Sequence, residues 1–149
     1  METIKGLTEL TAKLNKLSKT TAKMTQATAR VHAQAKALAP VNTGNLAGSI
    51  HMDVTEKENE VIGRVYTNVS YAPYVEFGTG SKGQGTYRYK ITGFTLSYRA
   101  TSWTYTPDEG ETFYRTRGQV AQPYMYPALK QNRKWIRELF KQELQGRIK

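Results

Sequence analysis

Several features common in proteins are missing from this sequence, and each absence excludes something. It contains no cysteine, which excludes disulfides and thiolate metal sites. It has no run of about 18 apolar residues, and its mean hydropathy is −0.63, so a membrane-spanning helix is excluded. Residues 1–5, Met-Glu-Thr-Ile-Lys, lack the apolar stretch of a secretory signal peptide. These absences fit a protein that assembles in a reducing cytoplasm and has no membrane partner.

Residue types that carry chemistry are few and scattered. The two histidines, His32 and His51, lie apart from any ligand-spaced cluster and are interpreted as structural. The acidic turn at 108–111 lacks the spacing of a calcium loop. The glycine-rich stretch 78–85 lacks the Gly-Lys-Ser/Thr of a phosphate-binding loop and is predicted to be a flexible hinge. We therefore predict no catalytic residue, no cofactor, no metal and no enzymatic activity.

Positive charge is the strongest compositional feature. The chain of 149 residues carries 22 Lys and Arg against 12 Asp and Glu, a net charge of +10. Residues 1–40 hold +5 and residues 108–149 hold +4, whereas residues 41–107 hold +1. Two interpretations stay open. The charge lies on solvated helix faces, or it meets an acidic partner, either nucleic acid or a negatively charged protein ring.

Apolar residues recur three and four apart from Leu7 to Leu38, which predicts an amphipathic helix that ends before Pro40. A helix over Thr3–Leu38 would be about 54 Å long. Because this exceeds the width of a small domain, part of the helix is expected to project or to pack on a neighbouring subunit. Thr21 and Thr28 interrupt the apolar face of this helix, so the sequence allows a kink or a break near Thr21.

Alternation of apolar and polar residues predicts an antiparallel hairpin, with strands over 49–54 and 61–68. The following stretch is rich in Tyr, Gly and Thr. Alternation over residues 87–91, 94–98 and 103–105 predicts two or three short strands or one long β-excursion, and a further strand is considered over 112–115. We expect this insertion, from about Gly78 to Gly118, to be poorly ordered in the free subunit and ordered in the assembly.

Pro127 is predicted to open the last helix. Its apolar face is predicted to comprise Leu129, Ile136, Leu139, Phe140 and Leu144. The whole chain, residues 1–149, is thus predicted to be one α+β domain. Its parts are a long N-terminal helix over 1–39, an antiparallel β-sheet with a long Tyr/Gly-rich insertion over 46–120, and a closing helix over 127–148.

Aromatic residues concentrate around a proline at 70–80, which reads Ser-Tyr-Ala-Pro-Tyr-Val-Glu-Phe-Gly-Thr-Gly. Three of them recur every three residues, which fits one or two helical turns with one apolar face. We interpret this aromatic wedge as a contact element that packs on the sheet or on an adjacent subunit, with Tyr74 and Phe77 as anchors. Its members are Tyr71, Tyr74, Val75, Glu76 and Phe77. Glu76, a carboxylate among aromatics, is expected to cap a backbone group or to meet an arginine.

Two further segments accompany the wedge. Residues 40–50 begin Pro-Val-Asn-Thr-Gly-Asn-Leu, and residues 121–129 read Ala-Gln-Pro-Tyr-Met-Tyr-Pro-Ala-Leu. With all three segments in this order, the sequence resembles the "gene product ten" neck and tail-component family of long-tailed bacteriophages. The turn residues that carry the resemblance are Pro40, Thr43, Gly44, Leu46, Pro123, Tyr124, Met125 and Pro127.

The resemblance implies a structural virion protein of the head–tail junction. It would form a ring that joins the portal complex to the tail tube, with DNA passing through the lumen. The implied partners are further copies of the chain, in a ring compatible with a hexamer or dodecamer, the neighbouring neck and tail-tube proteins and, transiently, genomic double-stranded DNA. Assembly would take place in the host bacterial cytoplasm.

The competing hypothesis is a sequence-independent nucleic-acid-binding module. It rests on basic residues interleaved with aromatics, at Lys82, Tyr87, Arg88, Tyr89 and Lys90. Against it, the sequence has no helix-turn-helix pattern, RNA-binding consensus or zinc module. Within the phage hypothesis, the residues predicted to face DNA in the lumen are Lys82, Arg88 and Lys90. Those predicted to face neighbouring rings are Lys130, Arg133, Lys134 and Arg137.

Overall fold

A long helix, a β-hairpin and a second helix frame the structure. The computed structural model describes residues 2–41, 44–58, 60–107, 110 and 112–145, with the backbone alone at residues 2–8 and 142–144. The helices are α1 (Glu2–Leu38), α2 (Asn45–Gly48), α3 (Ala72–Phe77), α4 (Gly80–Gly83) and α5 (Met125–Gln145). The strands are β1 (Ile50–Lys57), β2 (Glu60–Thr67), β3 (Trp103–Tyr105) and β4 (Tyr114–Thr116). The predicted α+β class is confirmed, with two antiparallel two-stranded sheets, β1–β2 and β3–β4.

α1 is one unbroken helix of 37 residues, about 56 Å long. The break considered near Thr21 does not occur, since the helix is continuous there. Four threonine hydroxyls bond to the helix backbone. Each hydroxyl donates to the backbone carbonyl four residues earlier, at 2.7–3.0 Å. The four residues are Thr20, Thr21, Thr25 and Thr28. Residues 9–16 are all exposed, with Leu10 at 53% and Leu14 at 58% of full exposure. The described part of the chain therefore leaves this stretch of the helix uncovered.

The hairpin packs against the C-terminal half of α1. β1 pairs with β2 from Ile50↔Thr67 to Lys57↔Glu60, so near the turn β1 runs three residues and β2 one residue beyond the predicted end. Gly63 faces α1, and a Cβ atom built on it would collide with the hydroxyl of Thr28. The glycine lets the helix approach the strand closely. At the far end, the Thr21 hydroxyl lies 2.8 Å from the Glu56 carboxylate, a second acceptor beside the Leu17 carbonyl, and this contact ties the hairpin to the middle of α1.

The core joins α1, the hairpin, the wedge and α5. Its buried residues are Val31, Ala35, Ala39, Leu46, Ile50, Ala72, Tyr124 and Ala128. α5 is attached to α1 by Arg30, whose Nε donates to Asn132 Oδ1 at 2.7 Å and whose guanidinium lies 4.4 Å from the Trp135 ring centroid. Asn132 is 5% exposed and donates in turn to the Ala128 carbonyl at 2.8 Å. The buried amide is thus fully engaged.

α5 begins at Met125, two residues before the predicted start. Pro127 is its third residue, where the missing N–H costs little because the first four amides of a helix have no intrahelical acceptor. The predicted apolar face was wrong at Leu129, which is 51% exposed, whereas its neighbour Ala128 is 0% exposed. The contact between Arg30 and Asn132 turns the helix so that the 128 and 132 positions face inward. Leu144 and the predicted end at 146–148 lie outside the described side chains.

The insertion contains less strand than the alternation predicts. Of the described residues in 78–118, those at 103–105 and 114–116 form the β3–β4 hairpin, from Trp103↔Thr116 to Tyr105↔Tyr114. The strands predicted over 87–91 and 94–98 are absent, because no strand lies beside these segments to pair with them. The acidic residues of the 108–111 turn lie outside the described residues.

Candidate functional site

The carboxylate of Glu76 caps the first turn of α5. The backbone N–H groups of Tyr124 and Met125 donate to its Oε2 at 2.7 and 2.9 Å, and that of Tyr126 donates to Oε1 at 3.2 Å. These amides are among those that a helix start leaves without an acceptor, and a negative charge there is favoured by the helix dipole. Glu76 is 5% exposed, so water does not compete for the bonds. Of the two partners expected for Glu76, a backbone group or an arginine, the structure shows the backbone group.

The wedge helix α3 has a buried face and an exposed face. Ala72 and Glu76 are buried, and Val75 is half-buried against the core. Tyr71 and Tyr74 are 42% and 58% exposed. Tyr74 therefore does not anchor the wedge on the sheet of its own subunit, and the face with three-residue spacing points largely outward. Its role at an adjacent subunit stays a prediction.

Phe77 connects the wedge to the insertion. Its ring meets Tyr87 at 5.0 Å and Phe94 at 5.8 Å between centroids, both edge-on. The Tyr98 hydroxyl donates to the Phe77 backbone carbonyl at 2.9 Å. The alternating aromatics that were predicted to form strands thus cover one end of the wedge instead.

The segment around the first sequence motif forms the neighbouring wall. Leu46 is buried in the one-turn helix α2, which follows Gly44 at φ 75°, a left-handed conformation that favours glycine. Ser49 donates to the Leu46 carbonyl at 2.7 Å. Pro40 is half-buried directly after α1. Thr43 lies outside the described residues.

All three motif segments meet at one groove of about 670 Å³. Its lining is mixed apolar and polar, and comprises Pro40, Val41, Leu46, Tyr71, Val75, Gln119 and Gln122. The Gln122 amide donates to the Val75 carbonyl at 2.8 Å, which joins the third motif to the wedge. In that motif Tyr124 and Pro127 are buried, while Pro123 and Met125 are half-buried. Segments far apart in sequence therefore form one continuous surface.

The glycine-rich stretch after the wedge is packed, contrary to the predicted flexible hinge. Thr79 pairs with Gln119 in an antiparallel bridge, and residues 80–83 form the one-turn helix α4. A Cβ on Gly80 would collide with the Arg117 carbonyl, and one on Gly118 with the Thr79 carbonyl. These glycines serve close backbone contact, a role that composition alone does not distinguish from mobility. Gln119 and Gly118, central to this contact, were not among the predicted site residues.

Two phenols beside the cap have altered acidity. Burial, and secondly the charge of Glu76, raises the pKa of Tyr124 from about 10 to about 12. The same two causes, in the same order, raise the pKa of Tyr87 to about 12. Both phenols therefore keep their proton to a higher pH than an unperturbed tyrosine does.

The histidines have structural contacts. His32 Nε2 lies 2.9 Å from the Ile50 carbonyl and donates to it, which joins α1 to β1. His51 lies on the outer face of the hairpin, 5.9 Å from the Tyr66 ring. In the part of the chain that the structure describes, no three His, Cys, Asp or Glu side chains are grouped to hold a metal ion. None of the described helices is long and apolar enough to cross a membrane.

The basic residues singled out from the sequence fall into two places. Lys82 lies on α4, whereas Arg88 and Lys90 flank Tyr89 beside the start of α5. Lys130 extends its Nζ to 5.1 Å from the Tyr89 ring centroid. The structure thus separates Lys82 from the other two predicted lumen residues and brings those two next to the helix that carries the predicted inter-ring residues.

Comparison with known proteins gives one match. A family model described as "Bacteriophage HK97-gp10, putative tail-component" matches residues 2–78, slightly more than half of the chain. The matched part contains α1, the first motif, the hairpin and the wedge helix up to Gly78. No curated protein and no solved structure matches the chain.

Proposed function

The chain belongs to the HK97-gp10-like family of bacteriophage tail components, and we propose that it closes a ring at the head–tail junction. As a member of this family it is a structural part of the phage virion and contacts other phage structural proteins. The proposed ring joins the portal complex to the tail tube, and genomic DNA passes through its lumen.

The two-faced wedge carries this proposal. Glu76 fixes α3 to α5 through three backbone hydrogen bonds, so Tyr71 and Tyr74 are held at a defined place on the surface. Exposed tyrosines on a rigid support suit a protein contact, because each supplies buried area and a hydrogen bond at low entropic cost. The groove beside Tyr71 extends this surface into the first and third motifs.

A second exposed apolar surface lies on α1. Leu10 and Leu14 are one helical turn apart and more than half exposed, on a stretch that the described chain leaves uncovered. The wedge and this stretch are different surfaces of one subunit. Contact between unlike surfaces is heterologous, and it closes into a ring when the rotation between subunits divides a full turn.

The experiment measures the mass of the purified protein by light scattering after gel filtration. We expect the wild-type chain to form a ring and the double variant Tyr71→Ser, Tyr74→Ser to remain a folded monomer. The matched control is Tyr66→Ser with Phe113→Ser, two aromatics that are 46% and 72% exposed elsewhere. A wedge variant that forms rings of wild-type mass contradicts the proposed contact.

A further inference from the structure

Basic side chains form a single row along the outer face of α5. All are exposed, and they are Lys130, Arg133, Lys134, Arg137 and Lys141. At 100° per residue these positions fall within an arc of about 100° of the helix surface. The opposite side of the helix carries the buried Ala128 and Asn132. The row is therefore directed away from the subunit's core.

The insertion brings two further basic residues near the start of the helix. The Tyr89 ring packs on Tyr126 in the first turn of α5, at 4.9 Å between centroids. The ammonium group of Lys130 lies over the same Tyr89 ring, 5.1 Å from its centroid. Arg88 and Lys90, on either side of Tyr89, are exposed. The aromatic pair thus holds at the start of α5 the segment that carries two further exposed positive charges.

Little negative charge offsets the row. Lys141 pairs with Glu138 at 3.5 Å, and among the described side chains no acidic group pairs with Lys130, Arg133, Lys134 or Arg137. Like charges one helical turn apart repel each other and destabilise a helix. An unpaired row of this kind gains free energy when an anionic partner is bound.

The shape of the row favours a phosphate backbone over an acidic protein. From Lys130 to Lys141 it rises about 17 Å, with a charge at each turn. A nucleic-acid strand offers a phosphate about every 3.4 Å of helix axis, a linear array of the same kind. Protein interfaces have cores depleted in charge and enriched in apolar and aromatic groups. The outer face of α5 has no such core.

We propose that this surface, the basic row on α5 with Arg88 and Lys90, binds the phosphate backbone of double-stranded DNA without reading its sequence. The inference rests on the proposed function, since it assigns the DNA-facing surface of the proposed ring. It replaces the predicted division between lumen and inter-ring residues, because Arg88, Lys90 and the α5 residues now belong together. Lys82 is not part of it.

The test measures binding of fluorescent DNA duplexes to the full chain as a function of salt. The variant Lys130→Gln, Lys134→Gln, Arg137→Gln should lower the slope of log affinity against log salt by about 3, because three phosphate contacts are lost. Two duplexes of unrelated sequence should bind equally. The control, Lys13→Gln with Lys16→Gln and Lys19→Gln, removes the same charge from exposed positions of α1 and should keep the wild-type slope.

Each other outcome overturns the inference. An equal decrease of the salt slope in the α5 variant and in the α1 control would mean that binding follows net charge alone. An unchanged slope in the α5 variant would also overturn it, and failure of that variant to join an acidic tail protein would then indicate a protein partner. Ring mass, measured on the same samples, separates this inference from the proposed function. A wild-type chain that never forms rings contradicts the ring, while the duplex slopes still decide the DNA surface.

Discussion

Glu76 and Tyr124 stand 48 residues apart in sequence and are joined by a 2.7 Å hydrogen bond from the Tyr124 amide to the Glu76 carboxylate. The same carboxylate takes up the next two amides of the chain. A single side chain thus fixes where α5 begins and holds the wedge helix against it.

Replacing Glu76 by glutamine should destabilise the fold. The shape is kept, but the charge is lost and one amide group would face backbone N–H donors. We expect a loss of about 1–3 kcal/mol in the free energy of unfolding, the cost of leaving buried donors unsatisfied. Urea denaturation measures it, with the exposed Glu58→Gln as control. Equal stability of the two variants would show that the cap contributes nothing.

High pH should weaken the fold through Tyr124. Its pKa is about 12 in the folded chain and about 10 unperturbed, so the folded state holds the proton more tightly between these values. The stability is therefore complete below pH 10 and falls as the pH rises toward 12, by up to about 1.4 kcal/mol per pH unit. Unfolding measured from pH 9 to 12 should show a shallower decline for Tyr124→Phe than for the wild type. Parallel curves would refute this assignment.

The substitution Gly118→Ala should destabilise the fold far more than Gly93→Ala. Both residues have positive φ, 97° and 100°, so the backbone strain is matched. A Cβ at Gly118 meets the Thr79 carbonyl, whereas at Gly93 no atom lies within 4 Å. We expect a loss of about 1 kcal/mol at Gly93 and at least twice that at Gly118. Similar melting temperatures would mean that α4 does not depend on close backbone packing.

Gly63→Ala should be rescued in part by Thr28→Ala. The added methyl group would collide with the Thr28 hydroxyl, and removal of that hydroxyl frees the space. A double-mutant cycle by chemical denaturation should give a favourable coupling of about 1 kcal/mol or more. Strictly additive effects would place the strain of Gly63→Ala elsewhere, for example at Met24.

Leu10→Ala with Leu14→Ala should leave the stability of the monomer almost unchanged, since both side chains are largely exposed in the single subunit. Assembly should weaken if this stretch of α1 contacts another subunit, as proposed. Val31→Ala, at a position that is 7% exposed, is the contrast and should cost about 1–3 kcal/mol in any state of assembly. A drop in monomer melting temperature for the leucine variant would show that these residues pack within the subunit.

Periodicity predicted the parts of the fold that depend on local pattern. The long helix, the β1–β2 hairpin and the wedge turn all follow from residue spacing, and the aromatic environment of Glu76 predicted that its carboxylate meets either a backbone group or an arginine. The predicted apolar face of α5 is right at Ile136, which packs against the core, and wrong at Leu129, which is largely exposed. The buried side of α5 includes Asn132, which accepts a hydrogen bond from Arg30, 102 residues earlier in the sequence. The spacing of residues within α5 does not reveal this contact.

The insertion shows the other limit of sequence reasoning. Alternation at 87–98 describes side-chain polarity but not whether a partner strand is available, and the rings of Tyr87 and Phe94 pack on Phe77 instead. The glycines were ambiguous too, because glycine is typical both of flexible hinges and of close backbone contacts. Gly80 and Gly118 permit close contact between backbones, and the sequence offers no signal that distinguishes this from a hinge.

The contact between Arg30 and Asn132 also constrains when the fold can be completed during synthesis. Until α5 has left the ribosome, Val31 and Ala35 of α1 are covered by the hairpin but not by Ala128 of α5, and Glu76 has no amides to cap. We expect a nascent chain ending before Tyr124 to be sensitive to protease and unable to present the wedge. The hydrogen bonds from the start of α5 to Glu76 thus make the position of the wedge depend on a segment that is synthesised about 48 residues later.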